Sequence, residues 1–367
     1  MQRRGFLGAA AAATAMATTA ATAAAADHLP TLNWRMASSF PKSLEWLYGS
    51  AELIARRVGE ITQGKFTIRV FPAGEIVPAL QVLDAVQAGT IEMGHTALYF
   101  YFGKDAAFTF DTCVPFGMNS RQQTAWYVSG GGRELVQDFL KGYGITSTPC
   151  GNTGSQMGGW FRKEVRGLDD LNGLKFRVGG IGGRILQRLG VVPQQIPPGD
   201  IYPALEKGTI DAAEFVGPFD DEKLGLDRVA PFYYTPGWWE TGSQLSAITG
   251  IKQWESLPLA YRAAITAAAF EAHVWMQSQY DLHNPMALAR LVKRGVKLRA
   301  FPKEVMMASL SAARAMLNDE ASKSAAFRKM YDHYNRFQNQ QNQWYSVSEA
   351  RMQNFQIMAL QSQGSKG

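Results

Sequence analysis

The chain has 367 residues, of which 46% are hydrophobic, with 37 Lys and Arg against 31 Asp and Glu, and two Cys. At roughly 100–200 residues per domain, this length favours two domains. The apolar content excludes a disordered chain, and two cysteines exclude a disulfide scaffold or a Cys-rich zinc module. The net charge is +6, and the sequence contains no run of five like charges, so no nucleic-acid partner is expected. Beyond the N-terminus, no run of about 18 apolar residues predicts a transmembrane helix.

Residues 1–26 predict an export signal. Arg3 and Arg4 precede an Ala/Thr-rich run that ends in three alanines, a small-residue cleavage pattern. The order Arg-Arg-Gly-Phe-Leu is similar to a twin-arginine signal, which exports folded proteins, and an ordinary secretory signal is the alternative. The mature chain is therefore expected in an oxidising compartment, where Cys113 and Cys150 either pair or remain free buried thiols.

An internal repeat predicts the architecture. Residues 85–95 and 204–214 share a helix end, a Gly-Thr-Ile-acid turn and a short apolar strand. Gly89 and Gly208 stand where a helix C-terminus favours a left-handed residue. Each half then predicts the order strand, helix, strand, helix, strand, which is typical of parallel strands with right-handed crossovers. We therefore predict an α/β fold with two lobes that face a cleft.

The repeat extends towards the N-terminus of each half, where residues 71–76 match 196–201 and residues 33–36 match 175–178. In open α/β sheets, ligands bind beyond the carboxyl ends of the strands. This rule predicts that four segments converge on the cleft: residues 35–40, 95–96, 177–183 and 214–215.

The last third of the chain is helical. Residues 258–292 predict one long helix, kinked near Pro285, that runs along both lobes. Earlier in the chain, residues 43–58 show the core-facing spacing of an amphipathic helix. Residues 303–317 and 322–360 are also predicted to be helical. The apolar positions of the final helix pack either on the body or on a second subunit; they include Met330, Tyr334, Phe337, Trp344 and Met352.

These patterns divide the chain into five parts. They are the export signal (1–26), a first part of lobe I (27–150), lobe II (151–238), a return to lobe I with the spanning helix (239–321), and a C-terminal helix that is a candidate for dimerisation (322–367).

The common catalytic motifs are absent from the sequence. It contains no P-loop, no Gly-x-Ser-x-Gly elbow and no His-Glu-x-x-His, and its five histidines are scattered. The Gly-rich turn at residues 179–183 lacks the spacing of a dinucleotide site. We therefore expect a protein that is not an enzyme, and a secreted metal-dependent lyase or hydrolase is the alternative from another class.

Five polar residues stand in apolar, aromatic or Gly-rich settings: Asn152, Gln156, Arg177, Glu214 and Glu240. Arg177, inside a strand-like run, is either an ion-paired core arginine or a bidentate clamp for a carboxylate. Buried glutamates must meet an arginine, another cation or a metal ion. With Gln156 and a backbone carbonyl, Glu214 and Glu240 would offer the oxygen ligands of a hard cation, sodium or calcium.

The chain resembles the solute-binding proteins of tripartite ATP-independent periplasmic (TRAP) transporters, of the DctP type, over essentially the whole mature length. The segments that carry the resemblance are residues 71–75, 88–93, 168–178 and 204–214. A subgroup that binds 2-oxo acids or lactate is similar in residues 154–161, 214–218 and 233–240. The resemblance implies a periplasmic protein that delivers a small monocarboxylate to the membrane subunits of a transporter. A binder of a C4-dicarboxylate or a sugar acid is the alternative within this fold.

The same resemblance assigns roles to residues. It implies that a sodium or calcium ion bridges protein and ligand, and that Arg177, Gln156 and the ion grip the ligand. The implied ion ligands are the side chains of Gln156, Glu214 and Glu240 and the backbone oxygen of Phe215, where close relatives are expected to have Trp. The residues implied to close the other side are His95, Thr96 and Tyr101. Some relatives dimerise through a long C-terminal helix, which makes a homodimer an expectation for this chain.

Overall fold

A computed structural model describes residues 29–364, so the predicted export signal lies outside the described residues. The strands are β1 (Leu32–Ser38), β2 (Phe66–Phe71), β3 (Met93–Thr96), β4 (Ile145–Asn152), β5 (Gly159–Phe161), β6 (Lys175–Arg177), β7 (Val192–Gln194), β8 (Ala212–Ala213), β9 (Phe232–Thr235), β10 (Gln244–Gly250) and β11 (Lys297–Ala300). The α-helices are α1 (Glu45–Ile61), α2 (Val82–Gln87), α3 (Thr109–Thr112), α4 (Ser120–Ser129), α5 (Gly132–Lys141), α6 (Gly180–Gln187), α7 (Ile201–Glu206), α8 (Pro218–Leu224), α9 (Ile251–Ser256), α10 (Leu259–Lys293), α11 (Lys303–Lys323), α12 (Ala325–Val347) and α13 (Glu349–Gly364). Short 3-10 turns include Leu98–Tyr101.

The strands form two sheets, one for each lobe. The first has the order β2-β1-β3-β10-β4 and the second the order β11-β9-β5-β8-β6-β7. In the first sheet β1 lies parallel between β2 and β3, and in the second β6 lies parallel between β7 and β8. The predicted pair of parallel units is therefore confirmed. Antiparallel strands extend both units, β10 beside β3 and β5 beside β8.

The helix ends of the repeat match closely. Gly89 and Gly208 have φ angles of 69° and 70°, so both adopt the predicted left-handed conformation. The next residue in each half, Thr90 or Thr209, donates its N–H over 3.0 Å to the carbonyl five residues earlier. The two turns are thus equivalent in hydrogen bonding as well as in sequence.

The register of the repeat corrects one sequence match. Met36 pairs with Met93 and Phe176 pairs with Ala212, which makes Ala37 the counterpart of Arg177. The match of residues 33–36 with 175–178 is wrong by two residues, because an Arg in each short segment suggested an alignment that the strand pairing does not follow. Arg35 instead forms an exposed ion pair with Glu92 at 2.8 Å.

Two helices organise the first lobe and its link to the second. The predicted apolar stripe of α1 is buried at Leu47, Ala51, Ile54 and Val58. Helix α10 spans 35 residues, continues through Pro285 and packs on α1 and β4 as well as on α8 of the second lobe. The prediction of one long helix that contacts both lobes is confirmed.

Residues 239–321, expected to return to the first lobe, divide between the two sheets. Strand β10 joins the first sheet between β3 and β4. Strand β11 instead adds to the second sheet, because it pairs in parallel with the edge strand β9. The expected return therefore needs this correction for β11.

The predicted C-terminal helix is divided into α12 and α13 at Ser348, whose φ and ψ of −112° and −102° are not helical. Met330 and Tyr334 on α12 are buried, whereas Trp344 and Met352 beyond them are 58% and 60% exposed. Among residues 29–364, no helix is long and apolar enough to cross a membrane.

The two cysteines are free thiols, which decides between the two alternatives that the sequence left open. Both are buried, and Cys113 Sγ lies 3.5 Å from the Ser243 hydroxyl and 3.7 Å from the Trp239 carbonyl.

Candidate functional site

Three of the predicted site residues lie at strand ends. Asn152 is the last residue of β4, Arg177 is the last residue of β6, and Glu214 directly follows β8. Because β6 and β8 are parallel neighbours, Arg177 and Glu214 emerge at the same edge of the second sheet. The carboxyl edge of parallel strands is where ligands of α/β sheets bind.

The other two polar residues lie in loops that are bonded to each other. The N–H of Gln156 donates to the carbonyl of Glu240 at 3.1 Å, and the N–H of Gly237 donates to the carbonyl of Gln156 at 3.0 Å. A Cβ at Gly237 would lie 2.5 Å from the Met157 carbonyl oxygen, so this approach requires glycine. The loops therefore hold Gln156 and Glu240 side by side.

Arg177 is buried and only partly used by the protein. Its Nη1 donates to the Glu214 carboxylate and to the Glu214 carbonyl, each at 2.6 Å, and its Nε donates to the Ile196 carbonyl at 3.1 Å. Among the described residues, none accepts from Nη2. The arginine is thus a buried ion-pair residue whose Nη2 amino group remains able to donate to a further acceptor.

Two buried carboxyls lie near this arginine, and of the two only Glu214 is ion-paired with it. Burial raises the pKa of Glu214 to about 8, and the Glu240 charge adds to the rise while Arg177 opposes it. Burial also raises the pKa of Glu240 to about 7, against a 2.5 Å hydrogen bond from Ser243 and the charge of Arg177. A further cation at this point would favour both ionised forms.

Four polar atoms of the site are buried without a hydrogen-bond partner. They are the acceptors Gln156 Oε1, Glu214 Oε2 and Glu240 Oε1 and the donor Asn152 Nδ2, and a further donor, Trp239 Nε1, is also unpaired in the lining of the site. Leaving such a group unpaired costs about 1–3 kcal/mol, and folded proteins rarely retain several in one place. The arrangement is therefore that of a site completed by a bound solute.

The donor set fits a hard cation. It offers two carboxylates and one amide oxygen, and the nearby Phe215 carbonyl accepts no hydrogen bond from the described residues. Across residues 29–364, no three His, Cys, Asp or Glu side chains cluster in a way that could hold a metal, so a zinc-type set is not present there. Oxygen ligands of this kind suit sodium or calcium.

Tyr99 closes the site from the first lobe. Cβ atoms built on Gly179 and Gly180 would lie 2.7 Å and 2.5 Å from its ring. A narrow gap lies here that is too small to admit a water molecule, and it is lined by Tyr99, Cys113, Gly179–Gly182, Trp239 and Glu240, among others. Burial and the charges of Glu240 and Glu214 raise the pKa of Tyr99 well above its usual value, so it remains a neutral phenol.

His95, Thr96 and Tyr101 form a separate network in the first lobe. The ring nitrogens of His95 lie 3.0 Å from the hydroxyls of Ser38 and Ser50, which leaves neither nitrogen for a ligand. Thr96 and Tyr101 bond to each other through their hydroxyls at 3.1 Å. No hydrogen bond in the described residues joins this network to Arg177 or the glutamates, so the geometry gives no support to direct ligand contact by His95.

Sequence reasoning missed Tyr99, Ser243 and Trp239. The signal available for Tyr99 was the glycine pair at 179 and 180, since adjacent glycines after a strand allow a large ring to approach the backbone. Ser243, whose hydroxyl bonds Glu240, carries no such signal in the sequence.

Two α/β lobes, joined by a long helix and closed over a buried polar site, define a two-lobe solute-binding protein. The chain belongs to the bacterial extracellular solute-binding protein family 7, the DctP family, whose profile matches residues 37–324. The resemblance to TRAP solute-binding proteins is thereby confirmed.

Several proteins with named ligands are similar to this chain in sequence and in structure. The chain is 48% identical to a monocarboxylate 2-oxoacid-binding periplasmic protein of Nostoc sp., over 89% of this chain and 90% of the relative. A TRAP solute-binding protein from Bordetella bronchiseptica, a dimer with copurified calcium and picolinate, is 50% identical (91% and 99% coverage) with a TM-score of 0.89. One from Pseudoalteromonas atlantica, with bound sodium and pyruvate, is 37% identical (88% and 99% coverage) with a TM-score of 0.86.

Proposed function

We propose that this protein binds a small monocarboxylate, a 2-oxo acid such as pyruvate, or lactate, together with a sodium or calcium ion. The ligand carboxylate pairs with Arg177, and the ion is held by Gln156, Glu214, Glu240 and the Phe215 carbonyl. The relatives that bind calcium with picolinate and sodium with pyruvate support this assignment.

The observation that carries the proposal is the group of buried hydrogen-bond donors and acceptors that have no partner within the protein. Three buried oxygens lack a donor, and the guanidinium beside them has an unused Nη2. A cation satisfies the oxygens and an anion satisfies the guanidinium. A 2-oxo acid supplies the anion and, through its carboxylate and adjacent oxo oxygen, two further ligands for the cation.

Each protein group then has a defined task. When bound, the ion supplies positive charge that offsets Glu214 and Glu240 and orients the ligand oxygens. Asn152 Nδ2 donates to the ligand, and Tyr99 excludes water from the first-lobe side. Thr96 and Tyr101 contribute indirectly, because their mutual hydrogen bond holds the turn Leu98–Tyr101 that carries Tyr99. His95 supports the strand end behind them.

Calorimetry on chelator-treated protein tests the proposal. Pyruvate or lactate should release heat only when calcium or sodium is present, and Arg177→Ala should abolish that heat. Arg35→Ala, which removes an exposed arginine of the first lobe, is the matched control. Unchanged pyruvate binding by Arg177→Ala would contradict the carboxylate clamp, and tighter binding of succinate than of pyruvate would favour a dicarboxylate.

We further propose that the mature protein is periplasmic and hands its ligand to the membrane subunits of a TRAP transporter as a homodimer. Exposed apolar side chains on the C-terminal helices support the dimer: Trp344, Val347, Met352, Phe355, Met358 and Leu360. The Bordetella bronchiseptica relative is a dimer. Sedimentation of the full chain and of a chain ending before Phe327 tests this. A monomer mass for both would overturn it.

A further inference from the structure

Both backbone polar groups of Val216 are hydrogen-bonded, and its N–H belongs to the peptide unit that also contains the Phe215 carbonyl. The Val216 N–H donates to Asp221 Oδ1 at 3.3 Å. The Val216 carbonyl accepts from the Met157 N–H at 3.0 Å, next to Gln156. The loop that follows Glu214 is therefore fixed by contacts outside itself.

Asp221 is itself held rigidly. Its side chain is fully buried, and its Oδ2 accepts from Trp160 Nε1 at 2.9 Å and from the Tyr233 hydroxyl at 2.6 Å. The Trp160 and Tyr233 rings are stacked with centroids 4.0 Å apart, on strands β5 and β9. One carboxylate thus ties two strands of the second sheet to the loop at residues 214–216.

We infer that Asp221 is a positioning residue for the Phe215 carbonyl. In a trans peptide the N–H and the C=O point in opposite directions. Fixing the Val216 N–H on Asp221 therefore aims the Phe215 carbonyl away from Asp221, to a side where no described donor bonds it. Groups behind a ligand atom commonly set ion affinity by orienting that atom. The inference rests on the proposed function, in which this carbonyl binds the cation.

Asp220 provides a matched control on the same helix. It is equally buried and is also a carboxylate, but its Oδ2 accepts from the Tyr280 hydroxyl on α10. No described hydrogen bond joins its side chain to residues 214–216. Asp220→Asn therefore makes the same chemical change in the neighbouring residue while the Phe215–Val216 peptide keeps its anchor.

The test compares Asp221→Asn with Asp220→Asn. An amide replaces one carboxylate oxygen by an NH2 group, which faces either the Val216 N–H or Trp160 Nε1, so in both orientations a donor meets a donor and the anchor of residue 216 is disturbed. Calcium, and sodium in a separate experiment, are titrated into chelator-treated protein without any oxo acid. Asp221→Asn should weaken binding of the ion that wild type binds by about tenfold or more, and Asp220→Asn should change it less than twofold.

Urea unfolding of the chelated proteins separates positioning from stability. Loss of stability with unchanged ion affinity in Asp221→Asn would overturn the inference while the proposed function stands. Wild-type protein that binds neither ion, alone or together with pyruvate, would overturn the proposed function itself. If Asp221→Asn does not fold, Tyr233→Phe removes one donor to Asp221, and a loss of ion affinity of about threefold is expected. Wild-type affinity in that variant would overturn the positioning role.

Discussion

The two halves of the repeat each place a buried polar residue at the end of the third strand, but the hydrogen bonding of these two residues differs. His95 and Glu214 hold equivalent places in the aligned segments 85–95 and 204–214, and both are fully buried. His95 is satisfied on both ring nitrogens by serines. Glu214 is satisfied on Oε1 by Arg177 and the Gly179 N–H, but Oε2 has no partner.

One backbone arrangement therefore supports two different roles. In the first lobe the polar residue completes the core, because neighbouring hydroxyls meet every valence. In the second lobe the same position keeps an unmet valence in a dry environment, where it costs stability unless a solute arrives. The binding capacity lies in the groups that the second half leaves unpaired, and four experiments test this contrast.

The largest effect is expected at Arg177. Arg177→Ala leaves Glu214 buried without its cation, which should lower the free energy of unfolding by about 3–5 kcal/mol. Arg35→Ala in the first lobe breaks a pair in which the arginine side chain is 48% exposed, and should cost at most about 1 kcal/mol. Urea denaturation of chelated protein measures both. Equal losses would mean that the two halves do not differ as described.

His95→Leu should lower stability without changing ligand binding. It leaves the Ser38 and Ser50 hydroxyls without their ring partner, so a loss of about 2–3 kcal/mol is expected. The affinity of the folded protein for pyruvate should remain that of wild type by calorimetry. Weaker binding with an unchanged melting temperature would instead give His95 the ligand contact that the family resemblance implies.

The two halves should respond to pH with opposite sign. Burial lowers the pKa of His95 to about 3, so this group destabilises the fold as pH falls below its ordinary value of 6.5. The pKa values of Glu214 and Glu240 are raised from 4.5 to about 8 and 7, so chelated protein loses their contribution as pH rises through 7 and 8. Each titrating group contributes up to about 1.4 kcal/mol per pH unit.

Thermal melts from pH 5 to 8 check this prediction. Calcium with pyruvate favours the ionised glutamates, so it should raise the melting temperature more at pH 8 than at pH 6. His95→Leu should flatten only the acid side of the curve for chelated protein. An increment from calcium and pyruvate that is the same at every pH would contradict the role given to the two glutamates.

The smallest effect tests what the halves share. Gly89→Ala and Gly208→Ala each force a side chain into the left-handed region, at φ angles of 69° and 70°. Each should cost about 1 kcal/mol, with little change in pyruvate affinity. Comparable losses in urea denaturation would confirm that the helix ends are equivalent. A much larger loss of unfolding free energy in only one variant would show that the two turns are not equivalent.

The sequence predicted the parts of the fold that local patterns encode. The repeat, the left-handed glycines and the long helix all follow from periodicity and turn chemistry within short windows. The exposed strand β11 carried no such pattern, and the register of β1 depended on pairing with β3 rather than on a shared arginine.

The candidate site was predicted where polar residues stood in apolar surroundings, as at Arg177 and Glu214. The remaining contacts are distant in the chain. Ser38 and Ser50 lie 57 and 45 residues from His95, and Asp221 lies 61 residues from Trp160. Nothing local distinguishes a histidine that hydroxyls will satisfy from one that a ligand will use.

The buried thiol of Cys113 lies at the surface where the two lobes meet, so its reactivity should depend on whether the cleft is closed. It lines the narrow gap beside Tyr99 and Glu240, and burial with the Glu240 charge raises its pKa well above the usual value, which makes it unreactive while the cleft is closed. Cys150, buried on β4, serves as an internal reference. We expect a thiol reagent to modify Cys113 faster in protein without calcium and pyruvate than in protein with both, while the slow modification of Cys150 stays the same.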